Sequence, residues 1–344
     1  SDLKRNHFFP IYLVKVIYYF LFSKIWNNTK KINDLNNTKF VYYDKLFFIS
    51  YKSFSKLFKK NKFGLIHCHF LWFADKLPII KQYTNIPYVI TVHGSDLHEI
   101  NTSNKNKVAK ILNILNNSNK NIFISNYLLS YAKKLGYSLT NYTIIYNGIN
   151  HNFFKINKIR QSEWPVLGFV GRPIFIKRVD ILPYVLKNVQ KTYPNAKLLM
   201  IGSSEESIIF YVKHLIQELD LNNYVQIIPS VPPYEVAKYM NQMDVLLFPS
   251  RSEGFGCVAI EAQACGIGVI GSKIGGIPEA IGSNGICVED TDNFTRDFSN
   301  AVIRWLKKKH NSEEIANSVK DYTWENCVNQ EINTYLEILN INNS

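Results

Sequence analysis

From residue 64 onward, the chain alternates short, uninterrupted apolar runs with longer amphipathic stretches. The runs at residues 65–69, 88–92, 121–124 and 143–146 are rich in Ile, Val and aromatic side chains, and they are followed by segments of helical periodicity. The pattern then restarts at residues 166–170, 197–201, 224–228, 244–248 and 268–270. Continuous β-branched runs between helices predict parallel strands in βαβ units, because such strands are covered on both faces. Between the two series, Asn147-Gly148-Ile149-Asn150-His151 and the polar stretch to Gln161 read as a linker. The expected architecture is α/β: two Rossmann-like, doubly wound domains whose strand C-termini face one cleft.

The first 60 residues fit this scheme less well. Ile11 to Trp26 is apolar and aromatic but interrupted by Lys15, Ser23 and Lys24. At about 16 residues it is shorter than the roughly 20 needed to span a bilayer, and it has no small-residue cleavage site. It reads as a helix, either buried in a core or lying in a membrane interface with its aromatics at headgroup depth. No glycine precedes Gly64, and Gly64, Gly94, Gly136 and Gly148 are the only ones before residue 150. The N-terminal domain is therefore expected to be truncated or divergent, without a first strand and glycine-rich loop.

Length agrees with two domains, since 344 residues is about twice the common domain size. The five cysteines (Cys68, Cys257, Cys265, Cys287 and Cys327) are scattered and odd in number. That excludes a disulfide framework or zinc knuckle and points to a reducing, cytoplasmic setting. The net charge of +13 is unevenly placed. Residues 1–150 hold 21 Lys and Arg against 6 Asp and Glu, whereas the rest hold 19 against 21. A basic N-terminal half calls for a polyanionic partner. Nucleic acid is disfavoured, as there is no zinc-finger spacing, RNP-like motif or arginine richness. An anionic membrane face suits the basic charge and the 16 aromatics among the first 60 residues better, while a merely solvated lysine surface is the alternative.

The densest chemical signal is Pro249-Ser250-Arg251-Ser252-Glu253-Gly254-Phe255-Gly256-Cys257, directly after an apolar strand and running into a helix that contains Glu261. Gly254 and Gly256 allow backbone N–H groups close to a ligand, and the helix N-terminus adds positive potential, so this is an anion site. Glu253 and Glu261 are eight residues apart and can serve opposite ends of an extended ligand; a carboxylate accepting two ribose hydroxyls is a familiar arrangement. Arg172 and Lys177, five apart on the loop after residues 166–170, can both reach one diphosphate, the first as a fork and the second as a point charge. In the N-terminal half, His93 lies at a strand end in Thr91-Val92-His93-Gly94-Ser95-Asp96 and is a candidate for catalysis.

These elements in this order resemble the retaining family 4 of the GT-B glycosyltransferases. The resemblance is carried by Glu253 and Glu261, by Gly171-Arg172 with Lys177, by His93-Gly94-Ser95-Asp96, by Asn147-Gly148-Ile149, by Gly275-Gly276-Ile277-Pro278-Glu279 and by Tyr322-Thr323-Trp324-Glu325. It covers about residues 60–335. It implies an N-terminal acceptor-side domain over 1–149, a nucleotide-sugar domain over 150–322 and a C-terminal helix over 323–344 that returns to the first domain. It further implies that Arg172 and Lys177 hold the donor diphosphate and Glu261 the ribose. Glu253 would contact the transferred sugar, the backbone of Gly254, Phe255, Gly256 and Cys257 the sugar and phosphate, and His93 the sugar from the other domain. Retention of configuration would need no protein nucleophile, no metal and no other cofactor. The implied partners are a nucleotide-sugar donor and a glycan or lipid-linked acceptor of surface polysaccharide synthesis, at the cytoplasmic face of a membrane.

The chain departs from the family where Arg178 replaces the usual glycine after the lysine, which adds charge beside the phosphate site, and where the Gly-Asp-Gly-Pro-like loop reads Gly202-Ser203-Ser204-Glu205. Two metal-like patterns are set aside. Asp290-Thr291-Asp292 follows the last strand and reads as a surface turn. His67-Cys68-His69 reads as structural or as acceptor-cleft lining, on the grounds that adjacent strand residues point to opposite faces and that no third ligand is near. The competing function is a non-catalytic nucleotide-sugar-binding partner subunit. A GT-B epimerase lacks support.

Overall fold

The computed structural model describes Tyr12–Val16, Lys39–Tyr42 and residues 63–98, 102–157, 163–203 and 207–340. The chain divides into two compact units, residues 1–145 with 329–344, and residues 146–328. The boundary lies four residues before the expected one for a local reason. The Tyr146 ring packs against Phe255 and Tyr322, and Asn147 donates to Cys257 Sγ at 3.6 Å. Ile149 donates its N–H to the Tyr322 carbonyl at 2.9 Å, so the Asn-Gly-Ile turn is built into the second unit.

The second unit is a six-stranded, all-parallel sheet. Its strands are β7 (Val166–Val170), β8 (Lys197–Ser203), β9 (Val225–Pro229), β10 (Val245–Phe248), β11 (Gly268–Ser272) and β12 (Gly285–Val288), in the order β12-β11-β10-β7-β8-β9. Renumbered from the first strand, this is 6-5-4-1-2-3, the doubly wound order whose direction reverses between its first and fourth strands. The crevice outside the ends of β7 and β10 is therefore the place where this topology accepts a ligand. Behind it, Leu167, Phe169, Val185, Leu198, Val245, Ile270, Phe298 and Trp305 form one buried core. β12 was not anticipated from the sequence. Its Gly-Ile-Cys-Val is too short and too weakly patterned to register without its partner β11.

The first unit is also a parallel sheet of six strands. They are β1 (Tyr12–Val16), β2 (Lys39–Tyr42), β3 (Phe63–His69), β4 (Tyr88–Val92), β5 (Lys120–Phe123) and β6 (Tyr142–Ile144), in the order β2-β1-β3-β4-β5-β6. This corrects the reading of the N-terminal region. A first strand is present: Tyr12–Val16 lies inside the sheet, with Tyr12 to Lys15 pairing Lys39 to Tyr42 on one side and Leu13 to Val16 pairing Leu65 to Cys68 on the other. A short continuous apolar run suits a buried helix and a central parallel strand equally, and only the neighbouring strands decide between them. Residues 17–26 of the expected helix lie outside the described residues. β4 is buried along its whole length, and Asp96 and His93 follow directly from its end.

Candidate functional site

In the second unit, the loops after β7 and β10 meet because these strands are neighbours. Leu167 pairs Val245 and Gly168 pairs Leu246. Arg251, on the β10 loop, ties the two loops together. Its backbone N–H donates to the Ile176 carbonyl at 2.7 Å, its Nη1 donates to the Phe175 carbonyl at 2.7 Å, and its guanidinium lies 4.1 Å from the centre of the Phe175 ring. The tie brings Lys177 onto Glu253: the ammonium donates to Glu253 Oε1, and the Ser250 hydroxyl donates to the same oxygen at 3.4 Å.

The β10 loop is held from behind by the Gly275-Gly276 turn. Gly275 has φ +62, and a Cβ there would lie 2.3 Å from the Glu253 carbonyl oxygen. The Gly276 N–H donates to that oxygen at 3.0 Å. Two backbones therefore touch where any side chain would push Glu253 out of position. Gly256, at φ +110, starts the helix Cys257–Ala264, and its missing Cβ leaves room for Phe248. Phe255 is buried against Tyr146 and Tyr322, while Tyr146 donates to Glu279 Oε1 at 2.6 Å. Burial pushes the Cys257 thiol up to about 12, so it is no nucleophile.

Glu261 lies one turn into that helix. Burial raises its carboxyl from 4.5 to about 8, and the carboxylate has no hydrogen-bond or ion-pair partner among the described residues. A desolvated acid without a partner is costly, and a ligand hydroxyl relieves that cost. Arg172 is exposed, and its guanidinium likewise has no partner among the described residues.

Arg178 does not add charge to this site, contrary to the expectation. Its backbone takes the left-handed conformation that a glycine would favour, with φ 52 and ψ 39. Its side chain is buried and stacks over Phe294 at 4.2 Å, and its Nη2 donates to both carboxylate oxygens of Asp290, at 2.7 and 3.0 Å. The carboxylate neutralises it there. Asp290-Thr291-Asp292 is indeed a turn, but its first residue is the anchor of Arg178, which sequence separation hid.

In the first unit, His93 is positioned by Asp96. The buried Asp96 carboxylate accepts the N–H groups of Gly94 at 2.8 Å, His93 at 3.2 Å and Leu71 at 2.9 Å. Burial outweighs these bonds and raises its carboxyl to about 6. The motif alone does not show this role, although an aspartate two residues after a strand-end glycine is the signal for such a turn. The reading of His67 and His69 also needs correction. They are two apart, not adjacent, so they leave β3 on the same side, and their rings stack with centroids 4.4 Å apart. Glu331, from the helix Trp324–Ile338, completes a group of three ligand-type side chains with them.

The family model for glycosyl transferases group 1 matches residues 151–322, the unit that carries this site. A model for glycosyltransferase family 4 matches residues 36–153. The chain belongs to the group 1, family 4 glycosyltransferases. It is 30% identical over 292 residues to an uncharacterized glycosyltransferase of Methanocaldococcus jannaschii, which covers 81% of this chain and 77% of the relative. Among solved structures, a glycosyltransferase from Rickettsia africae matches with TM-score 0.76 at 18% identity, over 97% of this chain and 99% of that one. Anabaena HepE, solved with UDP and glucose, matches with TM-score 0.72 at 18% identity, over 94% of this chain and 99% of that one. Two parallel-sheet α/β units with these neighbours make this glycosyltransferase a GT-B fold. No helix among its described residues is long and apolar enough to cross a membrane.

Proposed function

We propose that the chain transfers a sugar from a nucleotide-sugar donor to a hydroxyl acceptor with retention of configuration and without a metal. The observation that carries this reading is the Glu261 carboxyl, without a partner among the described residues and set on the helix that follows the β10 loop, in the unit whose strand-end loops also carry Arg172 and the Lys177–Glu253 pair. A nucleoside diphosphate sugar complements all of these: ribose hydroxyls donate to Glu261, and the diphosphate takes Arg172 and Lys177. A diphosphate that captures Lys177 releases Glu253 for hydroxyls of the sugar, so donor binding converts an internal ion pair into two ligand contacts. The backbone of Gly254, Phe255, Gly256 and Cys257, at a helix start, lines the sugar and phosphate.

In the transfer step, the acceptor oxygen bonds to the anomeric carbon on the face from which the phosphate leaves. The bond to the β-phosphate oxygen breaks, and that oxygen takes the acceptor proton. Arg172, Lys177 and the helix N-terminus stabilise the charge that builds on the leaving diphosphate. His93, in the first unit, is the residue we assign to the transferred sugar. The acceptor is a glycan or lipid-linked glycan of surface polysaccharide synthesis at the cytoplasmic face of an anionic membrane. This rests on the basic first 150 residues, and stronger sedimentation with anionic than with neutral vesicles at low salt tests it.

A thermal-shift panel of UDP-, GDP- and ADP-sugars, followed by an assay for release of free nucleotide, tests the function. A ligand at 100 times its dissociation constant adds about 2.7 kcal/mol of stability. Stabilisation with no release of nucleotide under any acceptor would make the chain a binding subunit instead.

A further inference from the structure

Within the first unit, five side chains connect the C-terminal helix to His93. Glu331 and Tyr335 lie one turn apart on the helix Trp324–Ile338, and the Tyr335 hydroxyl donates to Glu331 Oε2 at 3.2 Å. The same hydroxyl lies 2.5 Å from His67 Nδ1, and the Thr91 hydroxyl lies 2.7 Å from His67 Nε2. His67 stacks on His69, and His69 Nδ1 lies 2.9 Å from His93 Nε2, with those two rings stacked 5.2 Å apart.

Proton accounting constrains this array. A hydroxyl that gives its proton to a carboxylate must accept from its other neighbour, so His67 carries its proton on Nδ1 and Thr91 donates to Nε2. Both His67 nitrogens are then engaged. A metal held by His67, His69 and Glu331, whose ligand atoms lie within 4.8 Å of one another, would have to displace one of these hydroxyls. Hydrogen bonds account for the cluster without an ion. At the other end, two imidazole nitrogens 2.9 Å apart share one proton. When His69 donates, His93 accepts at Nε2 and carries its own proton on Nδ1; when His93 donates, its Nδ1 is bare.

We infer that His69 is a positioning residue for His93. It fixes the plane of the His93 ring and selects which His93 nitrogen carries the proton, and it is itself held by the stacked His67, which Thr91, Tyr335 and Glu331 lock in place. The inference rests on the proposed role of His93 at the transferred sugar.

The test combines a spectroscopic and a kinetic measurement on the full chain. Long-range 1H–15N correlation spectra of 15N-histidine protein read the tautomer of each ring. The wild type should show His93 in one tautomer and His67 as the Nδ1–H form. In His69→Phe, which keeps a stacked ring and removes both nitrogens, His93 should average between tautomers. With UDP-glucose as the donor, release of UDP should fall about 10- to 100-fold in kcat, the usual consequence of a misplaced catalytic group, with KM for UDP-glucose unchanged. His69→Gln, which offers an amide in place of the ring edge, should recover part of the rate and replaces His69→Phe if that variant fails to fold. Tyr335→Phe should shift the His67 tautomer. An unchanged His93 tautomer in both His69 variants would overturn the inference, as would one equivalent of zinc binding to the wild type and lost in Glu331→Gln. His93→Ala separates the two claims. If it left kcat intact, the proposed role of His93 would fail while the spectra still decided what His69 does.

Discussion

The strand-end loops of the two units are finished to different degrees. In the first unit, the loop that carries His93 is satisfied by its own protein: Asp96 takes three backbone N–H groups, and His69 takes the His93 ring. In the second unit, Glu261 and Arg172 have no partner among the described residues, while Lys177 pairs with Glu253, which also accepts from the Ser250 hydroxyl at 3.4 Å. The proposed roles of these residues would account for the contrast. A group that must act on a reacting atom gains from being held rigidly before substrate arrives, whereas groups that bind a charged ligand must keep their hydrogen-bonding capacity for it. The cost of the unsatisfied site is carried by well-packed surroundings, namely the Gly275-Gly276 turn and the Arg251 tie.

The largest expected effect would break the contrast at the ion pair. Glu253→Ala should lower turnover by about 10²- to 10³-fold, as for a lost transition-state contact, while free UDP binds as well as before or tighter because Lys177 is released. Titration calorimetry with UDP and a transfer assay measure the two quantities, and a loss of UDP binding would reverse the assigned roles. Next, Asp96→Ala should destabilise the first unit by about 2–3 kcal/mol, since it strands two buried N–H groups and one half-buried one, and denaturant unfolding reads the loss. The same carboxyl has a pH signature. Its folded pKa of about 6 lies above the ordinary aspartate value of 3.8, so the folded chain holds a proton that the unfolded chain releases between these values. Stability from this group therefore declines as pH rises from about 4 to 6 and is level above that, and Asp96→Asn should flatten the slope.

Glu261→Ala should weaken UDP by about 1.5–3 kcal/mol, the size of a hydrogen bond to a charged group. Because the ribose favours the ionised carboxylate and the free carboxyl sits near pH 8, UDP binding should release a proton and tighten as pH rises toward 8. Glu261→Gln should abolish that pH dependence in calorimetry; a wild-type affinity flat between pH 6 and 8 would contradict the assignment. The smallest effect is on chelation: EDTA should leave UDP affinity unchanged, because Arg172, Lys177 and a helix N-terminus supply the positive field.

Much of this was legible in the chain. β4 and β7 were read with their observed bounds, and most other strands of residues 64–272 to within a few residues, because a parallel strand buried on both faces writes an uninterrupted apolar run. Arg172, Lys177, Glu253 and Glu261 are legible as candidates because glycines and charges directly after such runs mark the ligand-binding ends of the sheet. His69 and Asp96 were not, since their roles are contacts, and a contact leaves no mark on spacing.

What the sequence by itself determined is therefore local: strand, loop, helix start, and the charge each loop presents. The tertiary structure decided everything that depends on which strands are neighbours. Only the order β12-β11-β10-β7-β8-β9 brings Lys177 to Glu253 across 76 residues, and only the placement of the C-terminal helix brings Tyr335 to His67 across 268. Tyr12–Val16 became a strand because the edges of β2 and β3 were there to pair with it. Arg178 is held on Asp290 because burial demanded a partner and Asp290 supplied one. A buried charge is settled by its nearest counter-charge in space, and distance along the chain carries no information about that.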